Sequence, residues 1–216
     1  MDRDGGVQDR RVLVKVRGIV QGVGFRPYIY QLAFRHALNG WVRNQSDGVE
    51  IEVAGPEDAV AAFLRDLPAQ APPLARIHHI DTAELPYAPL RAFRIAPSLQ
   101  QEGRATLISP DVCTCTDCMR ELLDPSDRRY RYPFINCTNC GPRYTIVKDI
   151  PYDRAKTTMA SFTMCPACRK EYEDPLNRRT FPWGREDQEL AGRDEKLIAL
   201  RNRYPVLLSG DWRPLD

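Results

Sequence analysis

A glycine-rich stretch near the start of the chain combines residue types that can bind a phosphate group. It reads Gly18-Ile-Val-Gln-Gly22-Val-Gly24-Phe-Arg26-Pro27. Gly22 and Gly24 permit positive φ and a close approach of the backbone to a ligand. Arg26 can add a planar guanidinium that pairs two phosphate oxygens at once. The spacing predicts an anion site, but taken alone it is equally consistent with a simple turn that carries a solvated arginine.

The cysteines form a second set of residues whose spacing is typical of a metal site. All seven lie between Cys113 and Cys168. Two Cys-x-x-Cys pairs, separated by eighteen residues, match the spacing of a four-cysteine zinc site. The four predicted ligands are Cys115, Cys118, Cys137 and Cys140. A closed set of four thiolates predicts a structural zinc ion without a catalytic role, and Cys113, outside the pattern, is expected to be a bystander.

The cysteine region contains an internal repeat with an offset of 50 residues. Residues 115–129 match residues 165–179 in their Cys-x-x-Cys pair, a glutamate, an Asp-Pro pair and a double arginine. The repeat predicts two further cysteines at positions 187 and 190, which hold Asp187 and Leu190 instead. Cys165 and Cys168 are therefore predicted to form at most a partial second site, either as free thiols or as weak metal ligands.

The charge of the chain is nearly balanced, with 31 basic and 29 acidic residues and a net charge of +2. This balance argues against nucleic acid or a membrane surface as the main partner. The first residues are polar, and no stretch approaches the ~18 apolar residues of a membrane-spanning helix. We therefore expect a cytoplasmic protein, in which clustered cysteines bind metal rather than form disulfides.

Hydrophobic periodicity predicts the elements that must position these residues. Strands are predicted at residues 12–16, 41–45, 49–54, 77–82 and 92–96, and helices at 27–38 and 56–67. The first six of these elements follow the order strand, helix, strand, strand, helix and strand, which predicts the split ferredoxin-like arrangement, and residues 92–96 are a short closing strand. The glycine-rich loop then leads into the N-terminus of the first helix, which favours anions. Asn44 lies on the second predicted strand.

Three motifs resemble the acylphosphatase family over about residues 11–96. They are Gly-x-Val-Gln-Gly-Val-Gly-Phe-Arg at residues 18–26, Gly-Trp-Val-Arg-Asn at residues 40–44, and the Asp-Gly pair at residues 47–48. The resemblance implies that Arg26 binds the phosphoryl group and that Asn44 orients the attacking water. It places the phosphate-binding loop at Gln21, Gly22, Val23, Gly24, Phe25 and Arg26. The side chains of Gln21 and Arg43 are expected to be structural.

The zinc region resembles a second family. Residues 128–143 read Arg-Arg-Tyr-Arg-Tyr-Pro-Phe-Ile-Asn-Cys-Thr-Asn-Cys-Gly-Pro-Arg. Together with the first domain, this resembles the N-terminal portion of the HypF carbamoyltransferase family of nickel-iron hydrogenase maturation, over about residues 10–179. That family makes a carbamoyl adenylate from carbamoyl phosphate and ATP, and passes the carbamoyl group to a cysteine of the partner HypE. The resemblance therefore implies carbamoyl phosphate as the substrate and HypE as a possible partner.

The last part of the chain departs from this family. From about Asp174 it resembles the end of an α-amylase-like glycoside hydrolase domain, without the catalytic carboxylates, so glycosidase activity does not follow. A join is suspected at residues 174–179, either natural or an assembly artefact. The nucleotide-binding and transfer domains of the family are not expected in the remaining residues, so complete carbamoyl transfer is not expected of this chain alone.

These features together predict an α+β protein. Its parts are a ferredoxin-like, acylphosphatase-type βαββαβ sandwich, a small four-cysteine zinc module and an irregular or helical tail. The predicted boundaries are residues 10–97, a linker at 98–112, the zinc-finger region at 113–179 and an unrelated tail at 180–216. The predicted function is binding and hydrolysis of an acyl phosphate. The alternative is a non-catalytic zinc-containing fragment that docks onto hydrogenase maturation proteins.

Overall fold

Alternating valines in the first strand define the buried face of the sheet. Val12, Val14 and Val16 are fully or almost fully buried, while the side chains between them are more exposed. The same three residues lie opposite Val53, Ile51 and Val49 of an antiparallel neighbour. A period of two with one apolar face is the pattern of a half-buried strand, so these pairs establish the register between the two strands.

The computed structural model describes residues 9–100, 107, 112–135, 137, 140, 146–174 and 176. In its first part the strands are β1 (Asp9–Ile19), β2 (Asn39–Gln45), β3 (Gly48–Pro56), β4 (Arg76–Glu84) and β5 (Phe93–Ile95), and the helices are α1 (Phe25–Arg35) and α2 (Glu57–Ala69). The strands form one sheet in the order β4-β1-β3-β2-β5, antiparallel except for the parallel pair of β2 and β5. The predicted α+β fold and its order of elements are confirmed.

The two helices cover one face of this sheet and close the hydrophobic core. Helix α1 contributes Phe25, Ile29 and Leu32, and helix α2 contributes Val60, Phe63 and Leu67, all buried against the valines of the strands. At roughly 25 cal/mol per Å² of apolar surface, this burial is the main force that holds the loop before α1 in place.

Helix α1 ends three residues earlier than its apolar spacing predicts. Ala37 has a φ of 52° in the left-handed region. The Leu38 amide reaches back to the Ala33 carbonyl at 2.9 Å, which is the closing bond of a Schellman motif. Leu38 is therefore in the core, at 3% exposure, although it lies outside the helix. The apolar spacing of the sequence includes Leu38 in the helix, whereas in the structure Leu38 is buried after the helix has ended.

The opposite face of the sheet carries a row of ion pairs. Arg11 pairs with Glu52 at 2.9 Å, and Glu50 pairs with Arg43 at 2.6 Å and with Lys15 at 3.9 Å. Cross-strand pairs of opposite charge stabilise a sheet. Arg43 also lies over the Trp41 ring at 4.6 Å, so the predicted structural role of Arg43 agrees with its contacts.

The predicted linker begins as an extension of the sheet. The amides of Ala96 and Leu99 donate to the carbonyls of Val42 and Asn44, each at 2.9 Å. These bonds hold the backbone of β2 at Asn44 from the side opposite β3. Most of residues 101–111 lie outside the described residues, so the predicted domain boundaries stay a prediction.

The internal repeat is visible in the cysteine region as two matching helices. Helix α3 (Thr116–Leu123) and helix α4 (Pro166–Glu173) are displaced by 50 positions in the chain, and each has the first cysteine of its pair, Cys115 or Cys165, as its N-cap. The aspartates that follow them, Asp124 and Asp174, both accept a hydrogen bond from the amide two residues on. The repeated sequence therefore encodes a repeated helix and turn.

The rest of the described chain is short and irregular. A bridge between Val147 and Thr157 and two short 3₁₀ helices, Arg154–Lys156 and Thr158–Ser161, connect the two repeats. Residues 1–179 belong to one unit, and the predicted tail at 180–216 lies outside the described residues. Within the described ranges, no helix is both long and apolar enough to cross a membrane.

Candidate functional site

The loop between β1 and α1 is anchored by apolar side chains in the core, and its backbone faces the opposite side. Gly22 and Gly24 have φ values of 74° and 75°, in the left-handed region that glycine adopts without strain. Val20, Val23 and Phe25 are buried on the core side. Gly24 is the N-cap of α1, and no side chain caps the helix. The first turn of α1 therefore presents uncapped amides and the positive end of the helix dipole.

Arg26 lies in the first turn of α1 and is largely shielded from solvent, with 18% of its side chain exposed. Its Nη1 donates to Asp153 Oδ1 at 2.9 Å and makes a longer bond of 3.4 Å to Ser98 Oγ. Its Nη2 donates to the Tyr152 carbonyl at 3.1 Å. The guanidinium is therefore held in one orientation beside the loop amides.

Asn44 is buried on β2, with 1% of the residue exposed. Its Nδ2 donates to the Tyr152 carbonyl at 2.9 Å. Its Oδ1 is buried and has no hydrogen-bond partner among the described residues. An unsatisfied buried acceptor is costly and is rare in native proteins, and such groups often mark a functional site.

Arg26 and Asn44 converge on a single atom. Nη2 of Arg26 and Nδ2 of Asn44 both donate to the Tyr152 carbonyl oxygen, at 3.1 and 2.9 Å. The two side chains therefore line the same small space, although 18 positions separate them in the chain. The antiparallel pairing of β1, β3 and β2 causes this approach, because it brings the end of β2 next to the loop that leaves β1.

The side chain of Gln21 makes three hydrogen bonds, all to backbone. Its Nε2 donates to the carbonyls of Gln45 and Gly48 at 2.6 and 2.8 Å, and its Oε1 accepts from the Tyr152 amide at 2.9 Å. It ties the loop to the turn between β2 and β3. This agrees with a structural side chain and leaves only its backbone for a phosphate. The roles of Gln21, Gly22, Val23, Gly24, Phe25, Arg26 and Asn44 in binding and catalysis stay predictions.

The four cysteines predicted as metal ligands form a tight cluster. The sulfurs of Cys115, Cys118, Cys137 and Cys140 all lie within 4.8 Å of one another. The closest separations are 3.5 Å for Cys115 and Cys137, and 3.8 Å for Cys118 and Cys140. Hydrogen bonds from Cys118 and then Cys137 lower the pKa of Cys115 to about 7. The cluster has the donors and the spacing for one metal ion, and the exposed Cys113 is not part of it.

Two family models match the chain. A model described as Acylphosphatase matches residues 12–95, and one described as HypF finger matches residues 114–147 and 164–181. An acylphosphatase from Oceanobacillus iheyensis is 43% identical over 77 residues, which make up 35% of this chain and 85% of that protein. The chain belongs to the acylphosphatase family. Its acylphosphatase domain is followed by a HypF finger.

The two parts occur together in HypF carbamoyltransferases. The carbamoyltransferase HypF of Rhodobacter capsulatus is 51% identical over 171 residues, covering 77% of this chain and 22% of that protein. A crystal structure of full-length HypF in the phosphate- and nucleotide-bound form is 48% identical, with a TM-score of 0.76, covering 82% of this chain and 23% of that one. The chain spans about a fifth of the length of these relatives and matches their N-terminal region.

Residues of the acylphosphatase domain and of the finger region line a common open cavity of about 740 Å³. One wall consists of the glycine-rich loop, Arg26 and Asn44. The other wall comes from the finger region and includes Tyr132, Phe134 and Phe162. Sequence reasoning missed that Tyr152 lines this cavity and that Asp153 pairs with Arg26. The positive charge of Arg26 predicts an anionic partner, but nothing in the sequence around Arg26 identifies that partner as Asp153.

Cys165 and Cys168 also line this cavity. The Cys168 amide donates to Cys165 Sγ at 3.4 Å, and Arg128 Nη1 donates to Cys168 Sγ at 3.0 Å. Hydrogen bonds from the Cys168 amide and then from the Cys168 thiol lower the pKa of Cys165, and the charge of Arg128 makes a smaller contribution in the same direction. Within the described part of the chain, no third ligating side chain joins this pair. Positions 187 and 190 lie outside the described residues, so the partial second site stays a prediction.

Proposed function

We propose that the acylphosphatase domain of this chain binds and hydrolyses acyl phosphates, and that carbamoyl phosphate is its substrate. The observation that carries the proposal is the convergence of Arg26 and Asn44 on one atom beside an uncapped helix N-terminus. The membership of the acylphosphatase family supports the reaction, and the HypF relatives, named carbamoyltransferases, support the carbamoyl group.

The reaction requires a site that binds a phosphate dianion and positions one water. The loop amides and the Arg26 guanidinium supply hydrogen bonds and positive charge for the phosphoryl oxygens, which carry more charge in the transition state. Asn44 Oδ1 accepts a hydrogen bond from the water, which satisfies its unpaired buried acceptor. The water attacks phosphorus, the bond from phosphorus to the acyl oxygen breaks, and a carboxylate or carbamate leaves.

No strong base is needed in this scheme. An amide cannot take the water proton at neutral pH, so the proton passes to an oxygen of the substrate phosphate. The leaving group is a stable carboxylate, so positioning and charge stabilisation account for the catalysis. Products are inorganic phosphate and the carboxylate, which for carbamoyl phosphate is carbamate.

The test is steady-state hydrolysis of carbamoyl phosphate by the full chain and its variants. Arg26→Ala and Asn44→Ala are each expected to lower kcat/KM by about 100- to 1000-fold, the usual loss when one transition-state donor or positioning group is removed. Arg65→Ala, at a highly exposed arginine on α2, and Asn39→Ala, at the start of β2, are the matched controls and should retain activity. Wild-type activity that neither Arg26→Ala nor Asn44→Ala reduces would refute the proposal.

We further propose that the metal held by the HypF finger is zinc. Zinc bonds to thiolate sulfur at about 2.3 Å, so the sulfurs of a tetrahedral four-cysteine site lie about 3.8 Å apart. Three of the sulfur pairs, Cys115 with Cys137, Cys118 with Cys140 and Cys137 with Cys140, are separated by 3.5, 3.8 and 3.9 Å, which supports this size. A closed site of this kind is structural, and the ion stabilises the fold of the finger rather than taking part in hydrolysis.

The wider role is a proposal as well. The names of the relatives, carbamoyltransferase HypF, support a place for this chain in carbamoyl chemistry. Hydrogenase maturation as the setting and HypE as the protein partner are proposed from the family resemblance of the sequence. The alternative, a fragment that binds without catalysis, predicts phosphate binding with little turnover. The comparison of binding with turnover in the wild-type chain therefore separates these two functions.

A further inference from the structure

Residues 150–153 of the finger region, the covering segment, lie directly over the predicted acyl-phosphate site. We propose that this segment completes the site, with Asp153 as a positioning residue for Arg26 and the Tyr152 carbonyl as the group that orients Asn44. This inference rests on the proposed function of the acylphosphatase domain. It adds two groups that lie outside the region matched by the acylphosphatase model, which ends at residue 95.

Asp153 holds the outer edge of the Arg26 guanidinium. The Asp153 carboxylate accepts from Nη1 at 2.9 Å, and the Tyr152 carbonyl accepts from Nη2 at 3.1 Å. Nε of Arg26 has no hydrogen-bond partner among the described residues. Arg26 therefore keeps Nε and the second hydrogen of Nη2, and these two groups form one edge of the planar fork that can bind two phosphate oxygens. A long side chain that is anchored in this way reaches the substrate with little loss of conformational freedom.

The Tyr152 carbonyl determines which atom of the Asn44 amide faces the reaction. A carbonyl oxygen only accepts hydrogen bonds, so the Asn44 nitrogen must face Tyr152 at 2.9 Å. The opposite amide atom, Oδ1, is then directed away from Tyr152 as an acceptor without a partner among the described residues. An acceptor is the group that a water molecule needs if one of its lone pairs is to point at phosphorus.

The covering segment is anchored independently of Arg26. The Tyr152 amide donates to Gln21 Oε1 at 2.9 Å, and Lys156 Nζ donates to the Ile150 carbonyl at 2.7 Å. Lys156 also pairs with Asp149 at 2.9 Å. A segment that is held at several points is suited to positioning other groups. A segment that competed with the substrate would instead need to leave when phosphate binds.

The experiment measures binding of inorganic phosphate and hydrolysis of carbamoyl phosphate by the full chain. Asp153→Ala is expected to raise the phosphate Kd about tenfold, which is the scale of one charge-assisted hydrogen bond, and to lower kcat further. Asp153→Asn keeps an oxygen that accepts from Arg26 and should recover part of both losses. Asp81→Ala removes an aspartate that pairs with Arg17 on the exposed edge of the sheet, and should leave both quantities unchanged.

The direction of the change in Kd decides the inference. Removal of a negative charge beside an anion site would by itself tighten phosphate binding, so weaker binding in Asp153→Ala supports positioning. Tighter binding would overturn the proposal and show that Asp153 occupies the anion site as a competing carboxylate. An unchanged Kd and kcat would overturn it as well.

The two proposals fail in different ways. If Arg26→Ala abolishes phosphate binding while Asp153→Ala has no effect, only the role of the covering segment is wrong. If the wild-type chain neither binds phosphate nor hydrolyses carbamoyl phosphate, the proposed function and this inference both fall. Thermal unfolding of each variant separates these outcomes from misfolding, because the Asp153 side chain is 32% exposed and its loss is not expected to unfold the chain.

Discussion

Gln21 illustrates how a residue in a binding motif can serve the fold. Its side chain is buried and holds two carbonyls of the β2 to β3 turn and one amide of the covering segment. A motif match cannot separate this role from direct contact with a ligand, because both require a polar side chain at the same place in the loop. The hydrogen-bond partners in the folded chain separate them.

The first residue-scale prediction concerns Gln21→Leu. The substitution keeps the volume of the side chain but leaves buried carbonyl and amide groups without partners. Each unsatisfied group costs about 1–3 kcal/mol, so we expect the free energy of unfolding in denaturant to fall by at least about 2 kcal/mol. Gln70→Leu, at an exposed residue at the end of α2, is the control. Unchanged stability together with lost phosphate affinity would instead assign the Gln21 side chain to the ligand.

Asn44 shows the opposite situation, in which burial serves the site rather than the core. Its oxygen is buried without a partner among the described residues, which reduces stability unless a ligand or water satisfies it. The sequence predicted Asn44 as a site residue through its motif. The orientation of its amide depends on the Tyr152 carbonyl, 108 positions further along the chain.

At the scale of elements, the loop and helix α1 act together. The conformation of Gly24 begins the helix, and the apolar residues of α1 hold that beginning against the sheet. The loop amides have a fixed direction because the helix that follows them is packed against the sheet. The binding function of the loop therefore depends on the hydrophobic face of α1.

Gly24→Ala tests this dependence. Alanine in the left-handed region costs roughly 1–2 kcal/mol, so the variant is expected either to lose that stability or to move the loop amides. Gly24→Asn should be milder, because asparagine tolerates this conformation better. Chemical denaturation and phosphate titration are the measurements. Equal stability and affinity in all three proteins would show that the left-handed conformation at Gly24 is not required.

The repeated helices α3 and α4 show what an internal repeat does and does not specify. Both begin at a cysteine cap and end in the same aspartate turn, as the repeat predicts. Among the described residues, only the first pair has two further cysteines within 4.8 Å. Arg129 of the first repeat pairs with Glu121 of the same repeat and with Glu171, which occupies the position of Glu121 in the second repeat. The two repeats therefore also contact each other.

At the scale of the whole molecule, the metal content of the chain is the decisive quantity. We expect one tightly held zinc ion per purified chain, measured by elemental analysis. Cys118→Ser should lose this ion and unfold the finger at a lower temperature, because the ion contributes to the folding of small metal sites. Cys113→Ser, at an exposed cysteine outside the cluster, should keep both the ion and the melting behaviour. Two ions per chain would show that Cys165 and Cys168 also take part in metal binding.

Local patterns in the sequence were sufficient for the sheet, the two helices that cover it and the four-cysteine cluster. Three local patterns were enough: the alternating valines, the positions of the glycines and the Cys-x-x-Cys spacing. Each pattern spans only a few residues, so it can be recognised in the sequence without knowledge of distant contacts. The end of α1 was less predictable, because Leu38 is buried through tertiary packing and not through helical position.

The tertiary structure alone decided how the finger region meets the acylphosphatase domain. The pairing of Arg26 with Asp153 spans 127 positions, and the second group in this contact is a backbone carbonyl, which every residue possesses. A backbone carbonyl has no signature in a sequence, and a lone aspartate resembles any other. Only the path of the folded chain determines which carboxylate and which carbonyl reach the site.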